Sequence, residues 1–93
     1  MQLQLILTDN CSSCAQTRKL WETVCDEFQL ELIVLNLDSP DGKKLANTNA
    51  LKTFPALLVE GRVRMVGLPG AQSARKLLET EITKQASKPA INP

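Results

Sequence analysis

The sequence contains no histidine, and its only aromatic residues are Trp21, Phe28 and Phe54. Without histidine the chain lacks the usual general base near neutral pH and the commonest transition-metal ligand, so any metal site would have to rest on thiolates. Three scattered aromatic rings do not form a stacking platform for bases or sugars. A bias of charge is missing as well. Eleven lysines and arginines stand against ten acidic residues, spread along the chain, which argues against nucleic acid or an anionic membrane surface as a partner. No apolar run approaches transmembrane length. The stretch from Met1 to Leu7 has no basic flank and does not read as a signal peptide. Cysteines number only three, an odd count with two of them three positions apart, unlike a secreted disulfide framework, so a reducing cytoplasm is the expected compartment.

What remains is a chain of 93 residues, 43% hydrophobic, enough for one compact core and too short for two. The expected organisation is a single domain over residues 1–85 followed by a loose tail, 86–93, that holds two prolines and no periodicity. Gln2 to Leu7 alternates and then runs apolar, as a strand entering a sheet does. From about Ser12 the apolar positions Leu20, Trp21, Val24, Cys25 and Phe28 recur every three or four residues, the signature of an amphipathic helix. Leu32 to Leu37 is almost uninterruptedly apolar and branched, which predicts a central strand covered on both faces. Two strands joined by a helix make a parallel, right-handed βαβ unit.

Ser39 and Pro40 mark a helix start and lead to a short helix through about Asn49, weakened by Gly42. Ala56 to Val59 and Arg62 to Val66 flank a Glu60-Gly61 turn and read as an antiparallel hairpin. Ala74, Leu77, Leu78 and Ile82 share one face of a last helix. The fold class is thus α/β, a four-stranded mixed sheet in the order βαβ-α-ββα with helices on both faces.

The chemistry is concentrated in Cys11-Ser12-Ser13-Cys14. When the second cysteine of such a pair opens a helix, the first thiol lies just beyond the helix amino terminus, where unpaired N–H groups and the dipole favour an anion. Cys11 is then the attacking thiolate, and Cys14, on the same side, resolves the mixed disulfide and leaves the pair oxidised. Asp9 acts in the opposite sense, because a nearby carboxylate disfavours a thiolate. Two other readings of the pair stand beside exchange: half of a site that carries a soft metal ion or sulfur, and an inert buried pair. Zinc usually recruits two such pairs or nearby histidines, and the chain has neither.

Cys25 lies nearly three helical turns beyond Cys14, about 16 Å along the axis, too far to bond with it, and reads as a small core residue. Trp21 reads as packing, and Arg18, Arg62 and Arg64 as solvated charges.

Cys11-x-x-Cys14 after a strand, Thr53-Phe54-Pro55 before a hairpin, and Gly67 ahead of the last helix together resemble the thioredoxin/glutaredoxin superfamily over nearly the whole chain, to about Gln85. The run from Cys14 to Leu20 is similar to the glutaredoxin helix. The resemblance implies a thioredoxin-like fold with a cis Pro55 beside the sulfurs. It implies a thiol-disulfide oxidoreductase with Cys11 and Cys14 catalytic and with Thr53, Phe54, Pro55 and Gly67 receiving an extended partner segment. The partners so implied are a protein disulfide substrate and a reductase or dithiol donor, met by a monomer that needs no cofactor.

The chain departs from the pattern in three places. Leu5 stands where thioredoxins carry a buried aspartate in the first strand, which removes that proton shuttle. Thr8-Asp9 and Gly67-Leu68-Pro69-Gly70-Ala71 replace the lysine and the Gly-Gly-Asp with which glutaredoxins hold glutathione, which weighs against glutathione as a ligand.

Overall fold

The computed structural model of the chain describes residues 2–9 and 12–87, the last three of these by backbone alone. Seven elements follow in the order β1 (Leu3–Leu7), α1 (Cys14–Glu27), β2 (Leu32–Asn36), α2 (Pro40–Thr48), β3 (Ala56–Val59), β4 (Arg62–Val66) and α3 (Ala71–Ser87). The strands form one mixed sheet in the order β2-β1-β3-β4. β1 runs parallel to β2, with Leu3 opposite Leu32 and Leu7 opposite Asn36, and antiparallel to β3, with Leu3 opposite Val59 and Ile6 opposite Ala56.

Two layers of helix enclose this sheet because its inner strands are apolar on both faces. On one face Leu3, Leu5, Leu57 and Val59 meet Trp21, Val24 and Cys25 of α1 and Ala74 and Leu78 of α3. On the other, Ile6, Ala56 and Leu58 are covered by Leu45 of α2 together with Leu37, Leu51 and Phe54. All four residues of β3 are buried. Full burial of each large apolar side chain contributes about 1.5–3 kcal/mol, so the larger first core dominates the packing. The bidentate pairing of Arg75 with Glu27, at 2.8 and 3.0 Å, ties α3 to the end of α1 at the surface. Glu81, almost buried on α3, lies 3.6 Å from both Arg64 of β4 and Lys84.

The structure corrects the expected position of β2. It is an edge strand, not a central one, and its four apolar residues are only half-buried. An apolar run reports that both faces are shielded, here by α1 on one side and α2 on the other, but carries no information about neighbours in the plane of the sheet. The central places are taken by β1 and β3 instead. The strand bounds also tighten to Leu3 and Asn36, and α3 continues through Ser87, so Ala86 and Ser87 of the expected tail are helical. Residues 88–93 lie outside the described residues.

Local chemistry accounts for the turns. Ser39 caps α2 by accepting the Gly42 N–H at 3.1 Å, with Pro40 at the first helical position. Glu60 and Gly61 both have positive φ, +52° and +79°, the mirror-image turn whose twist matches a two-residue hairpin, and Val59 accordingly faces Arg62.

Candidate functional site

The register of the sheet gathers one set of loops at a single end. Because Leu7 pairs with Asn36 and Ile6 with Ala56, while Ala56 pairs with Val66, four segments emerge together there. They are the lead into α1, the β2–α2 turn, the approach to β3 and the exit from β4. This is the carboxyl end of the two parallel strands, where α/β sheets place their sites.

Cys14 is the first residue of α1 and only 6% exposed. It is disulfide-bonded. Ser12 and Ser13 form the turn before it, and the carbonyl of Ser13 accepts both the N–H of Thr17, at 2.9 Å, and its hydroxyl, at 2.8 Å. The wholly buried Thr17 side chain is satisfied in this way and pins the first turn of the helix. Cys11, expected as the attacking thiol, lies outside the described residues.

Of the residues expected to receive a partner, Thr53 is exposed, Phe54 half-buried against the smaller core and Pro55 fully buried. The Phe54–Pro55 peptide bond is cis. Gly67 donates its N–H to the Pro55 carbonyl at 2.7 Å and has φ of +79°, a conformation that glycine adopts without steric cost. Thr53, Phe54, Pro55 and Gly67 thus share one corner of the site, and the topology brings Cys14 to the same end of the sheet. Val66 and Leu68, beside that corner, are the large apolar side chains left most exposed among the described residues, at 47% and 48%.

A further link escapes sequence reading. Asn36, at the end of β2, donates from its side-chain amide to the Asp9 carboxylate at 2.8 Å, and its side-chain oxygen accepts the Asp38 N–H at 2.8 Å. One residue therefore joins the loop leading to the cysteine motif to the β2–α2 turn. The only signal for it is a single amide among apolar residues. Cys25, by contrast, is where the helical spacing puts it, a free thiol in the larger core, and desolvation raises its pKa from 9.0 to about 11. Leu5, wholly buried, fills its place in β1 with hydrocarbon. No group of three or more potential metal ligands occurs among the described residues.

The family model for the thioredoxin domain matches residues 1–79. The chain belongs to the thioredoxin domain family. Among solved structures, this thioredoxin domain is similar to thioredoxin 1 from the thermophilic eubacterium Thermosipho africanus TCF52B, with a TM-score of 0.71 at 14% identity, over 92% of this chain and 99% of that one. It is also similar to a mutant thioredoxin from Halobacterium salinarum NRC-1, with a TM-score of 0.67 at 20% identity, over 85% of this chain and 72% of that one. At such identities the likeness concerns the fold. No curated protein sequence matches this thioredoxin domain. No helix among its described residues is long and apolar enough to cross a membrane.

Proposed function

We propose that the chain is a dithiol oxidoreductase that exchanges electrons with protein disulfides through Cys11 and Cys14. The observation that carries this reading is the state of Cys14, disulfide-bonded and almost buried at the first position of α1. Membership of the thioredoxin domain family and the placement of Cys14 at a helix amino terminus support it.

In the reducing direction the Cys11 thiolate attacks one sulfur of the partner's disulfide. That S–S bond breaks, a mixed disulfide forms, and the departing partner sulfur takes up a proton. Cys14 then loses its proton and attacks the Cys11 sulfur, expelling the second partner thiolate. The partner gains two electrons and the chain is left with a Cys11–Cys14 disulfide, to be reduced by a separate dithiol donor. Thr53, Phe54, Pro55 and Gly67 form the surface over which the partner's extended segment lies. The working unit in this reading is a cytoplasmic monomer.

Insulin-disulfide reduction tests the assignment. Cys11→Ser is expected to abolish turnover, while Cys14→Ser retains the attacking thiol and accumulates mixed disulfides that a reductant releases. Full turnover by Cys11→Ser refutes it.

A further inference from the structure

The two edges of the sheet are closed to additional strands in different ways. β4 carries the exposed Arg62 and Arg64, and Arg64 is an extra residue without a cross-strand partner, since Met65 faces Leu57 and Val63 faces Leu58. Charges and a bulge of this kind discourage edge pairing. β2 has neither. Leu32, Ile33, Val34 and Leu35 present an uncharged, half-buried edge without proline or glycine.

The hydrogen-bond direction along β2 identifies which groups are open. Leu37 donates to the Leu7 carbonyl at 2.8 Å, and backbone groups alternate in direction along a strand, so Ile33 and Leu35 face β1 as well. Leu32 and Val34 therefore turn their N–H and C=O groups outward, and neither has a partner among the described residues. The outward carbonyl of Asn36 is already engaged by the Ser39 N–H and hydroxyl, at 2.9 and 2.6 Å, and this closes the edge at that end.

Beside the open end lies a groove of about 490 Å³, to which Leu30, Leu32 and Cys25 contribute apolar surface and Glu22 and Asp26 carboxylates. Glu31 is exposed next to Leu32. Arg18 pairs with Glu22 at 3.1 Å, but Asp26 and Glu31 have no side-chain partner among the described residues, and no basic residue lines the groove. Lys43 and Lys44 belong to α2, which packs on the opposite face.

We propose that the outer edge of β2 is a strand-addition site for an extended segment of another protein in which apolar residues alternate with lysine or arginine. The segment's backbone pairs with Leu32 and Val34, its apolar side chains cover Leu30 and Leu32 on one face, and its cations, on the other face and at the end of the segment, reach Glu31 and Asp26. The site is independent of the thiols and stands whether or not the chain turns over disulfides.

The test is an amide-resolved NMR titration of the full chain with a blocked Lys-Val-Lys-Val-Lys-Val peptide and, separately, with its Glu-Val counterpart. The lysine peptide is expected to shift the Leu32 and Val34 amides and to slow their hydrogen exchange, with affinity about tenfold or more above that of the glutamate peptide at low salt. The exposed double variant Asp26→Lys, Glu31→Lys is expected to reverse that preference while keeping the spectrum of a folded chain. Unperturbed Leu32 and Val34 amides at millimolar peptide, equal response to both peptides, or concentration-dependent self-pairing through β2 would each overturn the proposal.

Discussion

Replacing Gly42 with alanine sets two effects of opposite sign against each other. Gly42 lies in the first turn of α2 and is buried, and alanine is the better helix former by about 1 kcal/mol. The added methyl, however, would overlap the main-chain carbonyl of Asn36 and come within 3.0 Å of the Ser39 hydroxyl oxygen. That carbonyl cannot rotate away as a side chain would, because it is held by the Ser39 N–H and hydroxyl, and the same hydroxyl accepts the Gly42 N–H. Relief requires the β2–α2 turn to open. Overpacking of this kind costs about 1–3 kcal/mol, and a rigid main-chain obstacle belongs at the upper end. Loss of the Ser39 cap adds about 1 kcal/mol. After subtracting the gain in helix propensity, the net destabilisation is about 2–3 kcal/mol. In urea, with a slope of about 1 kcal/mol/M for a chain of this size, the midpoint falls by roughly 2 M. Lys43→Ala, one position along and exposed, is the control and is expected to change stability by less than about 0.5 kcal/mol. An unchanged or raised midpoint for Gly42→Ala, with the slope unaltered, refutes the claim that the close approach to Asn36 dictates glycine there.

Two further predictions concern ionisation. The Cys25 thiol, desolvated to a pKa of about 11 from 9.0, keeps its proton in the folded state after the unfolded chain has lost it. Stability contributed by Cys25 is therefore complete below about pH 9 and is lost progressively up to about pH 11, on the order of 3 kcal/mol. Urea melts of wild type and Cys25→Ala should diverge in pH dependence only across that window, and parallel curves throughout would contradict the burial argument. The Glu27 carboxyl is held below its usual range by its hydrogen bond and charge contact with Arg75, so its contribution is present above the unfolded pKa and fades as pH falls through the folded one. Side-chain NMR titration should find Glu27 returning toward the ordinary glutamate range in Arg75→Ala, and no movement would remove the ion pair as the cause.

Elements with a local chemical cause are legible in the sequence. The Ser39-Pro40 start of α2, the Glu60-Gly61 hairpin and the three-to-four spacing of Trp21, Val24, Cys25 and Phe28 each follow from a few neighbouring residues, and each reappears where that local chemistry puts it. The edge position of β2 is not legible, because Leu32 to Leu35 encode shielding by α1 and α2 and say nothing of strand order. Within the candidate site, the Cys-x-x-Cys spacing announces itself. The tie between Asn36 and Asp9, 27 residues apart, does not, since two polar residues at strand ends give no sign that they meet. Gly42 reads in the sequence as a weakness of α2; its reason lies in the Asn36 carbonyl, which only the folded turn brings near.

The pairing of β1 has a consequence for how the chain comes into being. β1 lies between β2 and β3, and its antiparallel ladder joins Leu3 to Val59, 56 positions downstream. At a synthesis rate of about 5–20 residues per second, several seconds separate the emergence of the first strand from that of its second neighbour. During that interval both cysteines of the motif already exist, but the corner formed by Pro55 and Gly67 does not. The two cysteines of the motif are thus made several seconds before the corner that the fold sets at the same end of the sheet, so during that interval their exposure to oxidation depends on the surroundings of the nascent chain and not on the fold.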